Sequence, residues 1–387
     1  RVRWVKLKPL WELRVSDVVI IGAGFIGMSF ALAAHKQGFG VEVYDRAAAP
    51  VLPKAATSQV IAVNPVSADF LAKIGVWDLI PDRFLTRYDQ LSVFDGQGSG
   101  SISFTAEEGG LPWLGYIVDQ LALRVAMSEC ALSQGLEVKW AETAEIDQLQ
   151  RDLLVAADGA HSATREKLGL KKVGYSYNQR ATVCVAEFSQ ELSQKCGRQA
   201  YQWFCDSGPL ALLPLSDRGK FAVVWSSSED IASIGEIEFI SALEELTEGK
   251  LGRVHGVSPR HSFPLMQQQA WRYVSEGAVL LGDAAHAIHP LAGLGANLGF
   301  SDASCLVTEL CSARLEGRDI GDLGVLKRYE KKRKIEIHAA ALAMESFHRL
   351  FTSDSSFVGL FRSRGLRLVN ENKTLKRLAI SIASGRV

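Results

Sequence analysis

The clearest chemistry in this sequence sits in one carboxylate and one glycine-punctuated loop. They are Gly282-Asp283 and His289-Pro290-Leu291-Ala292-Gly293-Leu294-Gly295-Ala296-Asn297. A carboxylate at the carboxyl end of a strand is placed to accept hydroxyl hydrogen bonds from a sugar or polyol. Pro290, Gly293 and Gly295 make a rigid loop whose backbone can approach a ligand closely. From Asn297 the pattern turns helical, so free N–H groups and a positive dipole end would point into the loop. That arrangement suits an electron-rich group that gathers negative charge. The strand that must deliver Asp283 is the wholly apolar run Ala278-Val279-Leu280-Leu281, as expected of a strand buried on both faces.

A second set of glycines lies near the start. Asp17-Val18-Val19-Ile20-Ile21 reads as a buried strand and runs into Gly22-Ala23-Gly24-Phe25-Ile26-Gly27. An Ala- and Leu-rich helix over Met28 to Gln37 follows, then Gly38-Phe39-Gly40 and a strand Val41-Glu42-Val43-Tyr44-Asp45. Strand, glycines, helix, strand and acid in register form the Rossmann dinucleotide fingerprint. Gly22, Gly24 and Gly27 permit the tight turn and the pyrophosphate's approach to the helix N-terminus. Asp45 can accept both ribose hydroxyl protons of an adenosine. A third buried strand, Leu153-Leu154-Val155-Ala156-Ala157, ends in Asp158-Gly159-Ala160-His161-Ser162, with Arg165 one helical turn on. Two distant returns to one parallel sheet imply a long, extended cofactor.

The whole chain is consistent with that picture. At 387 residues, 47% hydrophobic and 22% charged, it reads as a globular protein of two or three domains. A formal net charge of zero argues against a nucleic-acid binder. Six cysteines without a CxxC or metal-ligand spacing read as reduced thiols of a cytoplasmic protein. No secretory signal and no run of membrane-spanning length is visible. Both ends are basic, residues 358–387 carrying seven Lys and Arg against Glu371 alone. Such an end is either a solvated helix face or a peripheral contact with an anionic surface such as the inner membrane.

The segments GAGFIG, ADGAHSATR and LLGDAAHAIHPLAGLGANLGFSD together resemble the flavoprotein aromatic hydroxylases of the para-hydroxybenzoate hydroxylase type. The HPLAG-G-N-G--D form is most similar to their ubiquinone-biosynthesis branch, the polyprenylphenol and polyprenyl-benzoquinol hydroxylases. The likeness runs from about Ser16 to the C-terminus and includes Tyr329-Glu330-Lys331-Lys332-Arg333. It implies FAD as cofactor, NAD(P)H or another reductant as donor, and O2 as co-substrate. Gly22, Gly24 and Gly27 would then hold the FAD pyrophosphate and Asp45 the adenosine ribose. Gln120 and Arg124 would lie along the FAD chain, Asp158 near the pyrophosphate, and Gly282-Asp283 at the ribityl chain. His289, Pro290, Gly293, Gly295, Asn297 and Leu298 would surround the isoalloxazine. His286 is expected to be a packed, satisfied histidine.

The expected fold is α/β, with a Rossmann-like FAD-binding domain, a mixed antiparallel β-sheet substrate domain and a helical C-terminal region. In boundaries, 1–15 is an extension and 16–84, 115–175 and 262–340 make the discontinuous FAD domain. Residues 85–114 and 176–261 form the substrate domain, and 341–387 the basic helical end. Period-two runs at 90–95, 102–104, 182–188, 211–215 and 221–225 predict the antiparallel layer. Trp203, Phe204, Leu213 and Trp225 are its candidate cavity liners, with core packing as the competing reading. The charge run Lys327 to Lys334 is expected to be a solvated helix face.

Hydroxylating a phenol requires an electrophilic oxygen, which a flavin C4a-hydroperoxide supplies and side chains do not. The expected activity is therefore ring hydroxylation of a polyprenylated phenol or benzoquinol, with a quinone-biosynthesis complex as a possible partner. Gln59, Leu294 and Trp203 stand where the family usually has Arg, Gln and Arg. They motivate a non-catalytic alternative, and hydroxylation of small soluble aromatics is a third reading.

Overall fold

In the computed structural model the residues described are 16–96, 100–189, 198–288, 294–351 and 370–386. Their strands make three sheets. The first contains β1 (Ser16–Ile21), β2 (Val41–Asp45), β8 (Val138–Trp140), β9 (Arg151–Ala156), β16 (Val274–Ser275) and β17 (Ala278–Leu280). Its order is β16-β17-β9-β1-β2-β8, parallel except for the β16–β17 pair. Ile21 pairs with Tyr44 and with Ala156, and Ala156 with Leu280. That register brings the ends of β2, β1, β9 and β17 to one edge, the carboxyl edge where open parallel sheets bind ligands. These strands read as near-continuous apolar runs because helices cover both faces. Val18, Ile20, Leu153, Val155 and Val279 are fully buried.

Helices follow the strand ends. The fingerprint helix α1 (Phe25–Lys36) starts at Gly24. The next two carry side-chain caps: Asn64 accepts from Ser67 N before α2 (Pro65–Lys73), and Asp119 from Leu121 and Ala122 N before α3 (Gln120–Ser133). Ser162 caps the short α4 (Ala163–Lys167). Such caps satisfy N–H groups that the helix itself cannot.

The second sheet holds β5 (Gln90–Asp95), β6 (Ser101–Thr105), β10 (Lys172–Phe188), β11 (Gln199–Cys205), β12 (Gly208–Pro214), β13 (Lys220–Ser227), β14 (Val254–Val257), β15 (His261–Ala270) and β18 (His286–Ala287). It is antiparallel apart from the β5–β11 pair. β15 and β18 extend it, although β18 and all of β15 but His261 lie in the 262–340 stretch read with the first layer. A small third sheet of β3 (Val60–Val63), β4 (Leu85–Tyr88) and β7 (Gly115–Asp119) lies between. Helix α5 (Glu236–Leu246) covers the outer face of the second sheet with Phe239 and Leu243.

Helix α6 (Leu294–Leu315) begins three residues before the expected start at Asn297. Gly295 therefore sits in its first turn rather than in the loop. Gly299, one turn on, is a packing glycine: a Cβ there would lie 2.6 Å from Ile26 Cδ1 of α1. Phe300 meets Phe25 at 5.8 Å between ring centroids. Burying a Phe side chain of this kind stabilises by about 1.5–3 kcal/mol.

Helix α7 (Leu323–Phe351) runs beside both large sheets. Tyr329 Oη donates to Leu280 O at 3.1 Å, Glu330 accepts Tyr273 N, Gln269 meets His338, and Tyr175 Oη donates to Glu345 at 2.6 Å. The charge run in this helix is not wholly solvated as expected, because Tyr329 and Arg333 are 0% and 2% exposed. They lie in register with buried Leu326 and Ile337, three, seven and eleven residues along one stripe. Helix α8 (Lys373–Ala383) docks through Ile380, which packs on Ala106 and Leu111, and through a half-buried Lys376–Glu108 ion pair. Its other face leaves Leu375, Leu378 and Ile382 exposed. No helix of the described residues is long and apolar enough to cross a membrane.

Candidate functional site

The carboxyl edge of the first sheet collects four groups from four parts of the chain. At the end of β1, Gly22 has φ +106°, a conformation that L side chains avoid. A Cβ on it would stand 2.4 Å from Ala157 O. Gly27 closes the turn from the helix side, since a Cβ there would meet Gly22 O at 2.1 Å. Gly24 differs: a Cβ there meets nothing within 4 Å. Space therefore lies open above the N-terminus of α1, where a pyrophosphate takes free N–H groups.

At the end of β2, Asp45 Oδ2 accepts Ala23 N at 2.7 Å and Oδ1 accepts Ala47 N at 2.8 Å. The acid thus fixes the glycine turn and remains half-exposed beside it. At the end of β9, Asp158 accepts Ser162 Oγ and, at 3.0 Å, Thr164 N. It holds the turn that starts α4. Arg165, 1% exposed, reaches from α4 to Ala284 O at 2.9 Å and back to Ala160 O at 3.2 Å. That single side chain joins the Asp158 turn to the Asp283 turn.

Asp283 follows β17 in a short 3-10 turn, Gly282–Ala284. Solvent reaches its carboxylate, yet protein surrounds it on most sides. Desolvation raises its pKa, His286 opposes that, and Asp302 adds to it, so the balance is upward. Hydroxyl donors brought by a ligand would relieve this strain on the charged form.

Beneath the turn lies a buried ionic cluster. Asp302 of α6 accepts Gly282 N at 3.1 Å, pairs with His286 Nε2 at 2.7 Å and accepts Arg333 Nε at 2.6 Å. Arg333 also donates to Leu298 O at 3.2 Å and pairs with Glu336. His286 is a packed, bonded histidine, as expected, 3% exposed. Burial pushes the Asp302 carboxyl up, but His286 and Arg333 outweigh it and hold it below the usual carboxylate range. Sequence reasoning gave Asp302 no role and left Arg333 in solvent. The signal available was the buried stripe Leu326–Tyr329–Ile337, into which Arg333 falls.

Asn297 is not turned toward open space. Its Oδ1 accepts Asn64 N at 2.9 Å and its Nδ2 donates to Ala62 O at 2.8 Å, so it ties α6 to the end of β3. Asn297→Ala is expected to leave both backbone groups unpaired, costing about 1–3 kcal/mol. A thermal melt checks the loss, and a shifted flavin spectrum checks displacement of the loop. Gly295 and Leu298 lie in the first turns of α6. His289, Pro290 and Gly293 fall outside the described residues. Gln120 donates from Nε2 to Val60 O at 3.4 Å. Arg124, one turn along α3, has its Nε buried with no hydrogen-bond partner. An orphaned guanidinium nitrogen, open space at Gly24 and a strained carboxylate at Asp283 fit an anionic, hydroxyl-rich dinucleotide. Among the described residues no cluster suits a metal ion.

The candidate cavity liners divide by strand alternation. Leu213 packs with Ile117 and Ala222 on the face toward the small third sheet, and Phe204 with Val93 and Met344. Trp203 and Trp225 face the other way, into the core under α5. Trp203 stacks on Phe94 at 5.1 Å and on Tyr201 at 5.8 Å. These two tryptophans are outer-core residues, since neighbours on a strand point to opposite faces. Gln59 is exposed, and its carbonyl accepts Gln120 N at 2.9 Å.

Other proteins are similar to this chain in sequence and in fold. The sequence model of a family described as FAD binding domain matches residues 135–344. The mitochondrial ubiquinone biosynthesis monooxygenase COQ6 of Xenopus tropicalis is 30% identical, covering 96% of this chain and 93% of that protein. The 3-demethoxyubiquinol 3-hydroxylase of Escherichia coli is 29% identical over 96% of this chain and 98% of its own. Among solved structures, p-nitrophenol 4-monooxygenase from Pseudomonas putida superposes with a TM-score of 0.77 at 20% identity, covering 96% of this chain and 98% of that one. Klebsiella pneumoniae HpxO, complexed with FAD and uric acid, superposes at 0.72 and 19% identity, covering 98% of each.

Proposed function

The chain belongs to the FAD-binding monooxygenase family that includes the ubiquinone-biosynthesis hydroxylases, and from that premise we propose that it hydroxylates the ring of a polyprenylated phenol or benzoquinol. It is an FAD-dependent enzyme that consumes O2 and a reductant. What supports the substrate is the pairing of a dinucleotide edge with a second sheet whose inner face is apolar around Leu213 and Ala222. It is also supported by one relative named for ubiquinone biosynthesis and another named as a 3-demethoxyubiquinol 3-hydroxylase.

Bound FAD supplies the oxygen chemistry. The chain's own residues do the rest. We assign Gly22, Gly24, Gly27 and Arg124 to the pyrophosphate, with Asp158 bracing the neighbouring turn. Asp45 takes the adenosine ribose, and Asp283, fixed by Gly282 and Arg165, takes ribityl hydroxyls. Gln120, at the start of α3, completes the wall along the chain. The N-terminus of α6 with Gly295, Asn297 and Leu298 gives the ring a positive end, where charge can be stabilised. His289, Pro290 and Gly293 belong to the same proposal. No side-chain nucleophile is required. The inner face of the second sheet excludes water and orients the ring. The domain division at 16–84, 115–175 and 262–340 against 85–114 and 176–261 is likewise proposed.

A substrate with a prenyl tail lives in a bilayer. The exposed Leu375, Leu378 and Ile382 of α8, with Lys373 and Arg377 beside them, support peripheral contact with an anionic membrane.

The purified protein should carry near-stoichiometric FAD in its visible spectrum. Given reduced nicotinamide or a reduced ferredoxin, it should take up oxygen in step with hydroxylation of a short-chain prenylphenol. Flavin that cannot be loaded, or oxygen consumption with no hydroxylated product, would overturn the reading.

A further inference from the structure

Gln202 stands out on the inner face of the second sheet. Along one row the register pairs Val93 with Gln202, Gln202 with Ala211, Ala211 with Val224, and Val224 with Val183. Ala211 and Val224 stand two residues from Leu213 and Ala222 and so share their face, which packs against β3 and β7 of the small sheet. Gln202 therefore shares the inner face of the second sheet, the one that packs on the small sheet. It is 8% exposed. Its amide has no hydrogen-bond partner among the described residues, and unlike the Trp203 indole N–H it is not sealed from solvent. An amide that no protein group pairs and that solvent still reaches is free to exchange water for a ligand hydroxyl. Its neighbours Val93, Ala211 and Val224 are only half-buried, so this row is not sealed as a packed core.

We propose that Gln202 takes the ring hydroxyl of the substrate, and that its row selects a neutral phenol over an aromatic carboxylate. The assignment rests on the hydroxylase reading and names its specificity. A carboxamide can donate to a phenol oxygen or accept its O–H. It carries no charge, and the row holds no Lys or Arg to neutralise a carboxylate. Val93, Ala211, Val224 and Val183 offer the ring only apolar contact. A desolvated carboxylate placed there would be heavily disfavoured. A hydrogen-bonding site also rejects an analogue lacking the hydroxyl, because the site's own amide is left unpaired.

The test uses FAD-loaded full-length protein and three probes: 2-prenylphenol, prenylbenzene and 4-hydroxybenzoate. Binding is read from the change each causes in the visible spectrum of bound FAD. Wild type should bind 2-prenylphenol about 3- to 10-fold more tightly than prenylbenzene and should not respond to 4-hydroxybenzoate. Gln202→Leu should erase the preference for the phenol while retaining prenylbenzene binding and full FAD content. Gln202→Asn, which keeps the amide but shortens its reach, should also lose the preference. If the variants keep the wild-type preference, Gln202 is not the hydroxyl's partner. If 4-hydroxybenzoate binds as well as 2-prenylphenol, selection for a neutral ring is wrong. If no probe perturbs FAD in wild-type protein, the phenol-hydroxylase reading falls, and this assignment with it.

Discussion

Asp302→Ala is expected to destabilise the protein by about 3–5 kcal/mol and to yield it largely free of FAD. The substitution removes the shared partner of Gly282 N, His286 and Arg333. Arg333, 2% exposed, then keeps Leu298 O and, as counter-charge, Glu336, whose side chain is 59% exposed and compensates weakly in water. A buried charge that loses its counter-charge is among the costliest single changes. The turn that carries Asp283 loses its anchor at the same time. Thermal melts and flavin absorbance of the same samples separate the two effects. The cluster also has a pH signature. The folded Asp302 pKa lies below its unfolded value. Its stabilisation is therefore complete above the unfolded pKa of about 3.9 and is lost as pH falls through the folded value. Asp302→Asn should flatten that acid limb. An Asp302→Ala protein with wild-type melting and full flavin would show that the cluster carries no weight.

Gly24→Val and Gly27→Val should fail in different ways, although both belong to one motif. At Gly27 the new Cβ meets Gly22 O at 2.1 Å, backbone that cannot give way. The helix must move off the strand, and the fold itself should lose about 1–3 kcal/mol. At Gly24 nothing stands within 4 Å, so the protein should melt as wild type does. Its side chains would instead occupy the space above the α1 N-terminus. FAD affinity should fall about 10- to 100-fold, measured by equilibrium dialysis of the apoprotein. Wild-type FAD binding by Gly24→Val would place the pyrophosphate elsewhere.

Much of the fold could be read from the sequence, and the limits have physical causes. β2 and β5 fall on Val41–Asp45 and Gln90–Asp95 as expected, because alternation and terminal acids mark strand ends sharply. The edge that gathers Asp45, Asp158 and Asp283 was legible because strands buried on both faces are apolar runs that stop at glycine or acid. The start of α6 was not, since a glycine that permits a loop and one that lets two helices touch look alike in sequence. Arg333 was read as solvated from its charged neighbours, and only Asp302, 31 residues earlier, makes its burial tolerable. Trp203 and Trp225 were offered to the cavity by size, but their parity along β11 and β13 sends them to α5. Parity counted from Leu213 and Ala222 would have separated them, and the same count puts Gln202 on the inner face.

The cluster around Asp302 has a consequence for biosynthesis. The glycine turn and Asp45 are complete within the first 45 residues, whereas Asp283, Asp302 and Arg333 come from the last third. At ribosomal rates of about 5–20 residues per second, close to 300 residues separate the two halves by roughly 15–60 s. During that interval β1 and β2 have no β17 beside β9 and no α6 against α1. The nascent chain can neither close the first sheet nor retain its cofactor until α7 has emerged. Flavin capture is thus expected to come late, as a seal on an assembled first sheet rather than a template for its early folding.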